Sequence, residues 1–277
     1  MSKPDTRLLP AGAPLAAGPR LPGRLNWLGM AAVVQRELTR FRRLAIAFVA
    51  APSFFAVIFF TSFRFALGDA AGTPVGDRML NYLVPGLIMM AVIFRTVESA
   101  GVSFLSSKLD GTIADLLMAP LGPLETVGAI AAWGTLAGLV TGSAVLAATA
   151  LVWPLALQHV GLVVFFGAAT ALMMTLLGTL FGLVSPKFEQ LGAFFNFLLV
   201  PISFLSGLFS PIDGYPLAAR LAIQLNPIYY AIDGFRFGFL GHSAVPPLRA
   251  ALVVVAVDTG LAAVLVWQFA RSKRLRA

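Results

Sequence analysis

KLDGTIADLLMAPLGPLE, residues 108–125, is the longest polar interruption between two long apolar runs, and its reading decides the fold. Asp110 is placed to cap a short helix on which Ile113, Leu116 and Leu117 share one face, and Pro120 and Pro123 end it. Such a helix has about two to three turns, far short of the roughly 20 apolar residues that a membrane span needs. It is a small amphipathic helix held at a membrane face by the spans on either side. On its residues alone it reads equally as an ordinary inter-helix loop or as a docking element for a partner on that side.

The flanks say what surrounds it. Hydrophobic residues make up 58% of the chain and charged ones 12%, with a mean hydropathy of +0.87, outside the range of a soluble domain. Apolar runs of span length occur at residues 44–63, 82–105, 126–153, 160–184, 191–209 and 250–269. A transmembrane barrel would instead show short alternating segments. The expected fold class is an all-α polytopic membrane protein with six transmembrane helices. Pro52 is placed to kink the first span. Gly134, Gly138 and Gly142 in the third span, and Gly178 and Gly182 in the fourth, are stripes that let another backbone approach closely. Between the fifth and sixth spans, residues 217–225 and 228–240 form apolar pieces too short to cross, and read as outer re-entrant helices.

Charge sets the orientation. Fourteen Lys and Arg residues fall on the side of the 108–125 loop and the termini, against five on the other side (Arg64, Arg78, Arg220, Arg236, Arg249). The positive-inside rule then puts both termini and that loop in the cytoplasm. The net charge of +8 has this cause, and no basic surface interleaved with aromatics points to nucleic acid. Residues 1–24, rich in Pro, Ala, Gly and Arg, read as a disordered cytoplasmic tail. From Trp27 the spacing becomes helical. Trp27, Met30, Ala31, Val34, Leu38 and Phe41 form a stripe, with Arg36, Glu37, Arg40, Arg42 and Arg43 on the remaining faces, as expected of an amphipathic helix in the interface plane.

Catalytic machinery is missing. The chain has no cysteine and two histidines, which excludes thiolate chemistry and disfavours a metal cluster. None of Lys3, Lys108, Lys187 and Lys273 follows a glycine, so there is no phosphate loop, and GxSxG and HExxH patterns are absent. If ATP is used, another chain must bind it. Two ionisable features remain: Arg95 with Glu98 in the second span, and Asp258 in the sixth. Charges at that depth should face the bundle interior, as a proton or substrate relay or as a structural ion pair. They define an alternative function, an ion-coupled secondary transporter using Arg95, Glu98 and Asp258.

YLVPGLIMM at 82–90, KLDGTIADLLMAP at 108–120, FLSGLFSPIDGYP at 204–216 and NPIYYAIDGFRFGFLG at 226–241 together resemble the permease subunit of ABC type-2 exporters. The similarity is to bacterial YadH-like permeases, with drug-export and lipo-oligosaccharide-export permeases as wider relatives. It covers the chain from Trp27 to the C-terminus, making 25–277 one transmembrane domain after the 1–24 tail. The resemblance implies two permease subunits, here a homodimer, working with two copies of a separate ATPase that carries ATP and magnesium. The permease would move an amphipathic, lipid-like, glycan or drug substrate outward across the bacterial inner membrane, in contact with membrane lipids. It assigns coupling to Asp110, Gly111, Thr112, Asp115, Leu116 and Pro120, and the interface helix to Arg36, Glu37, Arg40 and Phe41. The outer gate falls on Asn226, Pro227, Tyr229, Tyr230 and Phe235. Arg95 and Glu98 are not a signature of that family.

Overall fold

The computed structural model describes residues 25–112, 121–209 and 212–274. The tail at 1–24 and most of the expected coupling helix, including Asp115, Leu116 and Pro120, lie outside the described residues. Among those described, the chain is helical without a strand, and six helices are long and apolar enough to cross a membrane. The chain is a multi-pass membrane protein.

Helix α1 (Trp27–Ala45) starts at Asn26, whose side chain accepts from the Gly29 N–H at 2.8 Å. It runs without a loop through a π turn (Ile46–Ala50) into α2 (Ala51–Ala66). Pro52 explains the turn: its ring would press on the carbonyl four residues back, and the bonding shifts so that the Ala51 N–H reaches the Ile46 carbonyl. The expected kink is therefore a π turn just before the proline. The same arrangement recurs in α6 (Phe188–Leu205), where the π turn Phe195–Leu199 precedes Pro201.

Helix α3 (Pro74–Leu109) corrects the sequence reading, which began the second span at Tyr82. Thr73 caps it by accepting from the Gly76 N–H at 3.2 Å and Pro74 occupies its first turn, so the helix starts well outside the apolar run. Its 36 residues span about 54 Å, against a hydrocarbon core of about 30 Å. Then follow α4 (Pro123–Ala150) and α5 (Val160–Val184), and after α6 two short helices, α7 (Leu217–Gln224) and α8 (Pro227–Leu240), before α9 (Pro247–Arg274). The two short helices differ: α7 exposes Leu217 and Leu221, whereas α8 is buried along most of its length.

Helix α5 is the centre of the bundle, packed on α3, α4, α8 and α9. The glycine stripes make this possible. A Cβ on Gly182 would sit 2.6 Å from the Gly101 carbonyl oxygen of α3, and one on Gly138 2.5 Å from the Ala171 Cβ of α5. Thr170, Thr175 and Thr179 donate to carbonyls one turn back in their own helix, which removes the cost of burying their hydroxyls. Helices α2 and α6 flank this core and expose large apolar side chains, Phe54 and Phe197 among them, as lipid-facing helices do.

One end of the bundle gathers α1, the C-terminal ends of α3 and α5, and the end of α9, where Phe269 meets Phe104 edge-on at 5.8 Å. This is called the basic end below. The far end carries α7, α8 and the connection Leu151 to His159.

Candidate functional site

The basic end is built around loop 108–125, and the structure fastens both of its shoulders. On the leading side, Lys108 Nζ donates to the Leu183 carbonyl at 2.9 Å and to that of Ser185 at 3.1 Å, meeting the last free carbonyls of α5 with a cation. Asp110 caps α3, and Gly111 follows at φ +74°, a left-handed conformation that glycine adopts without strain. The Thr112 hydroxyl reaches the Ser107 carbonyl at 3.3 Å. On the trailing side, Glu125 Oε2 accepts from the Gly122 N–H at 2.6 Å while Oε1 accepts from the Asn26 N–H, also at 2.6 Å. One carboxylate thus closes the first turn of α4 and holds the start of α1 against it.

The residues expected on the interface helix sit over a cleft between α1, α3, α4 and α5. Glu37 accepts from the Ser103 hydroxyl of α3 at 2.9 Å and pairs with Arg36 at 3.0 Å. Phe41 packs on Phe48 and edge-on against Trp133 of α4, each with centroids at 5.6 Å, while Arg40 lies at the cleft mouth. Arg95 and Glu98 pair at 2.9 Å, but not in the bundle interior as expected. They line the mouth of this cleft, with 30% and 49% of their side chains exposed. Asp258 is buried in α9.

At the far end, the aromatic cluster expected as an outer gate is packed inside the chain. Asn226 caps α8 by accepting from the Ile228 N–H at 3.1 Å, and its amide donates to Ser206 and to the Ile202 carbonyl, joining α8 to the end of α6. Pro227 takes the first helical position; Tyr229, Tyr230 and Phe235 are buried, the two tyrosine rings edge to face at 5.4 Å.

Sequence reasoning missed the group that organises this end, Arg236. It is 4% exposed, and its guanidinium lies 3.5 Å above the Tyr82 ring, donates to the Tyr82 hydroxyl at 2.7 Å and to the carbonyls of Gly207 (2.9 Å) and Leu208 (3.1 Å). Gly86 lets the Leu208 carbonyl come in close to α3. Asp233, one turn back, accepts from the N–H groups of Ala244 and Val245 at 3.2 and 2.9 Å. The available signal was a charge inside an apolar helical piece, GFRFG, which demands a buried partner. Beside Arg236 lies a cavity of about 660 Å³.

None of these clusters assembles a nucleophile with a base. They are straps, caps and a buried cation. Comparison with known proteins agrees with this geometry. The profile of the ABC-2 type transporter family matches residues 29–240. The inner membrane transport permease YadH of Escherichia coli K12 is 30% identical over 222 residues, covering 80% of this chain and 87% of YadH. Nodulation protein J of Rhizobium leguminosarum bv. trifolii is 25% identical over 232 residues, covering 80% and 84%. With the match running from α1 through α8 and six spans in place, this chain belongs to the ABC-2 type transporter family, as an inner-membrane permease.

Proposed function

We propose that the chain is the membrane half of an ATP-driven exporter, with ATP and magnesium held by a separate ATPase and none by this chain. The observation that carries this reading is the double fastening of loop 108–125. Lys108 ties it to α5 and Glu125 ties it to α1 and α4, so a partner pushing on Asp110, Gly111, Thr112, Asp115, Leu116 and Pro120 moves four helices together. The basic end faces the cytoplasm and both termini with it, because the excess of Lys and Arg lies there. Helix α1 lies in the interface and presents Arg36, Glu37, Arg40 and Phe41 beside the loop. Helices α7 and α8 re-enter the outer leaflet.

Two ATPase copies drive a pair of permeases. The second permease is another copy of this chain, seated on the apolar faces of α2 and α6, near Phe59 of α2, which stacks at 5.3 Å on Phe209 beyond the end of α6. The outward cargo is an amphiphile, drug, glycan-bearing or lipid-like, passing between the copies and leaving at the far end, with Asn226, Pro227, Tyr229, Tyr230 and Phe235 packed inside each copy behind the exit. Arg95 and Glu98 neutralise each other at a cleft mouth and serve the structure, which disfavours an ion-coupled cycle.

Purification of the chain from native membranes in mild detergent, with crosslinking, tests the reading. An ATPase should co-purify and lose its attachment when residues 111–120 are replaced by a Gly-Ser linker of equal length. Recovery of the chain alone would overturn it.

A further inference from the structure

The far-end cavity has a predominantly cationic lining that the proposed function does not use. Its one carboxylate, Asp233, is outnumbered by Arg78 and Arg236. Both Asp233 oxygens take backbone N–H groups, and Asn81 Oδ1 takes the Trp153 Nε1–H at 2.8 Å. The Ser243 hydroxyl donates to the Val245 carbonyl at 2.7 Å. Gln158 Oε1 and the Ser243 oxygen remain as neutral acceptors beside a larger set of donors. The Asn81 amide, the Arg78 guanidinium and the His242 ring line the same wall as Arg236, whose Nε is buried and has no partner among the described residues. Among those residues Arg78 has no carboxylate within ion-pair distance. Asp233, one turn back, offsets part of the Arg236 charge, so the uncompensated cation at this cavity is Arg78.

We infer that this cavity binds an oxyanion group of net negative charge, phosphoryl or carboxyl, held by Arg78, Asn81, Arg236 and His242. Its size suits a lipid headgroup or small anion rather than a single water, and the donors form charge-assisted bonds, which are short and strong with such oxygens. The Met79, Leu155 and Phe239 side chains on the same wall would take the apolar stem of an amphiphile. Binding here does not depend on what powers transport, so its failure would leave the exporter reading untouched.

The chain's two histidines give a site-specific readout. Both are exposed; His242 lines the cavity, whereas His159 stacks on Phe237 at 5.2 Å and is absent from that wall. The full chain is placed in nanodiscs of phosphatidylglycerol or of phosphatidylcholine with the same acyl chains, or in detergent with inorganic phosphate. Acylation of each histidine by diethylpyrocarbonate is followed by peptide mass spectrometry. Phosphatidylglycerol or phosphate should slow His242 about tenfold relative to His159, and Arg78→Gln should abolish the difference. Protection by lipid alone identifies a membrane headgroup, and protection by phosphate identifies a soluble anion; both support the site. Equal rates in all conditions, equal protection by phosphatidylcholine, or protection that survives Arg78→Gln would overturn it. Arg78 is exposed at the mouth, so its replacement leaves the fold intact, and an unchanged His159 rate checks this.

Discussion

Asn26 and Glu125 stand 99 positions apart, and the backbone N–H of the first donates to the carboxylate of the second at 2.6 Å. The bond joins the first described turn of the chain to the helix that leaves loop 108–125. It puts the amphipathic helix and the loop under one side chain.

Glu125→Ala therefore removes acceptors for two backbone N–H groups. A loss of about 2–3 kcal/mol is expected, seen as a lower melting temperature in detergent. Transport should fall further than this loss of folded protein accounts for, because α1 and α4 no longer move as a unit. Glu125→Gln, which keeps one acceptor, should sit between the two.

Arg236→Met should be the most damaging single change at the far end. It leaves the Leu208 carbonyl without its donor and the Gly207 carbonyl with only the 3.4 Å bond from the Tyr82 hydroxyl, at about 3 kcal/mol or more. Tyr82→Phe keeps the ring under the guanidinium and should cost about 1 kcal/mol. Equal melting temperatures for the two variants would refute this account.

Glycine replacements should divide by position. Gly182→Ala drives a methyl towards the Gly101 carbonyl and should destabilise by about 1–3 kcal/mol. Gly192→Ala and Gly260→Ala meet nothing within 4 Å and lie in helices, so they should be neutral or stabilising by about 0.5–1 kcal/mol. Thermal unfolding of the three side by side decides the matter.

Glu98→Gln should leave transport within about twofold of the parent. The Arg95–Glu98 pair is half open to its surroundings, and such a pair contributes about 0.3–0.5 kcal/mol. Abolition of transport, with sensitivity to a proton ionophore, would instead establish an ion-coupled cycle.

The six spans were legible because hydropathy is a local property, and the close approach at Gly138 and Gly182 because spacing by four marks one helix face. The start of α3 was not, because the cap at Thr73 and the proline after it outweigh the polar residues that follow. Arg95 and Glu98 were expected inside, but α1 leaves a cleft over them, an outcome decided by how two distant segments pack. Arg236 and Glu125 were visible as letters and silent as partners. Their counterparts, Tyr82 and Asn26, are 154 and 99 positions away, and no periodicity carries information over such distances.

The two π turns fall just before α2 and within α6, the spans with the least protein around them. A helix wedged among neighbours, like α5, has its rotation about its own axis set by the side chains it meets. A helix with few neighbours is less constrained: within the chain α2 buries only Ala56 and Phe60. Each π turn adds one residue to a turn and so rotates everything beyond it by about 100°. Pro52 and Pro201 hold that offset through the covalent shape of a ring. In these two spans the backbone itself fixes the azimuth that packing fixes elsewhere.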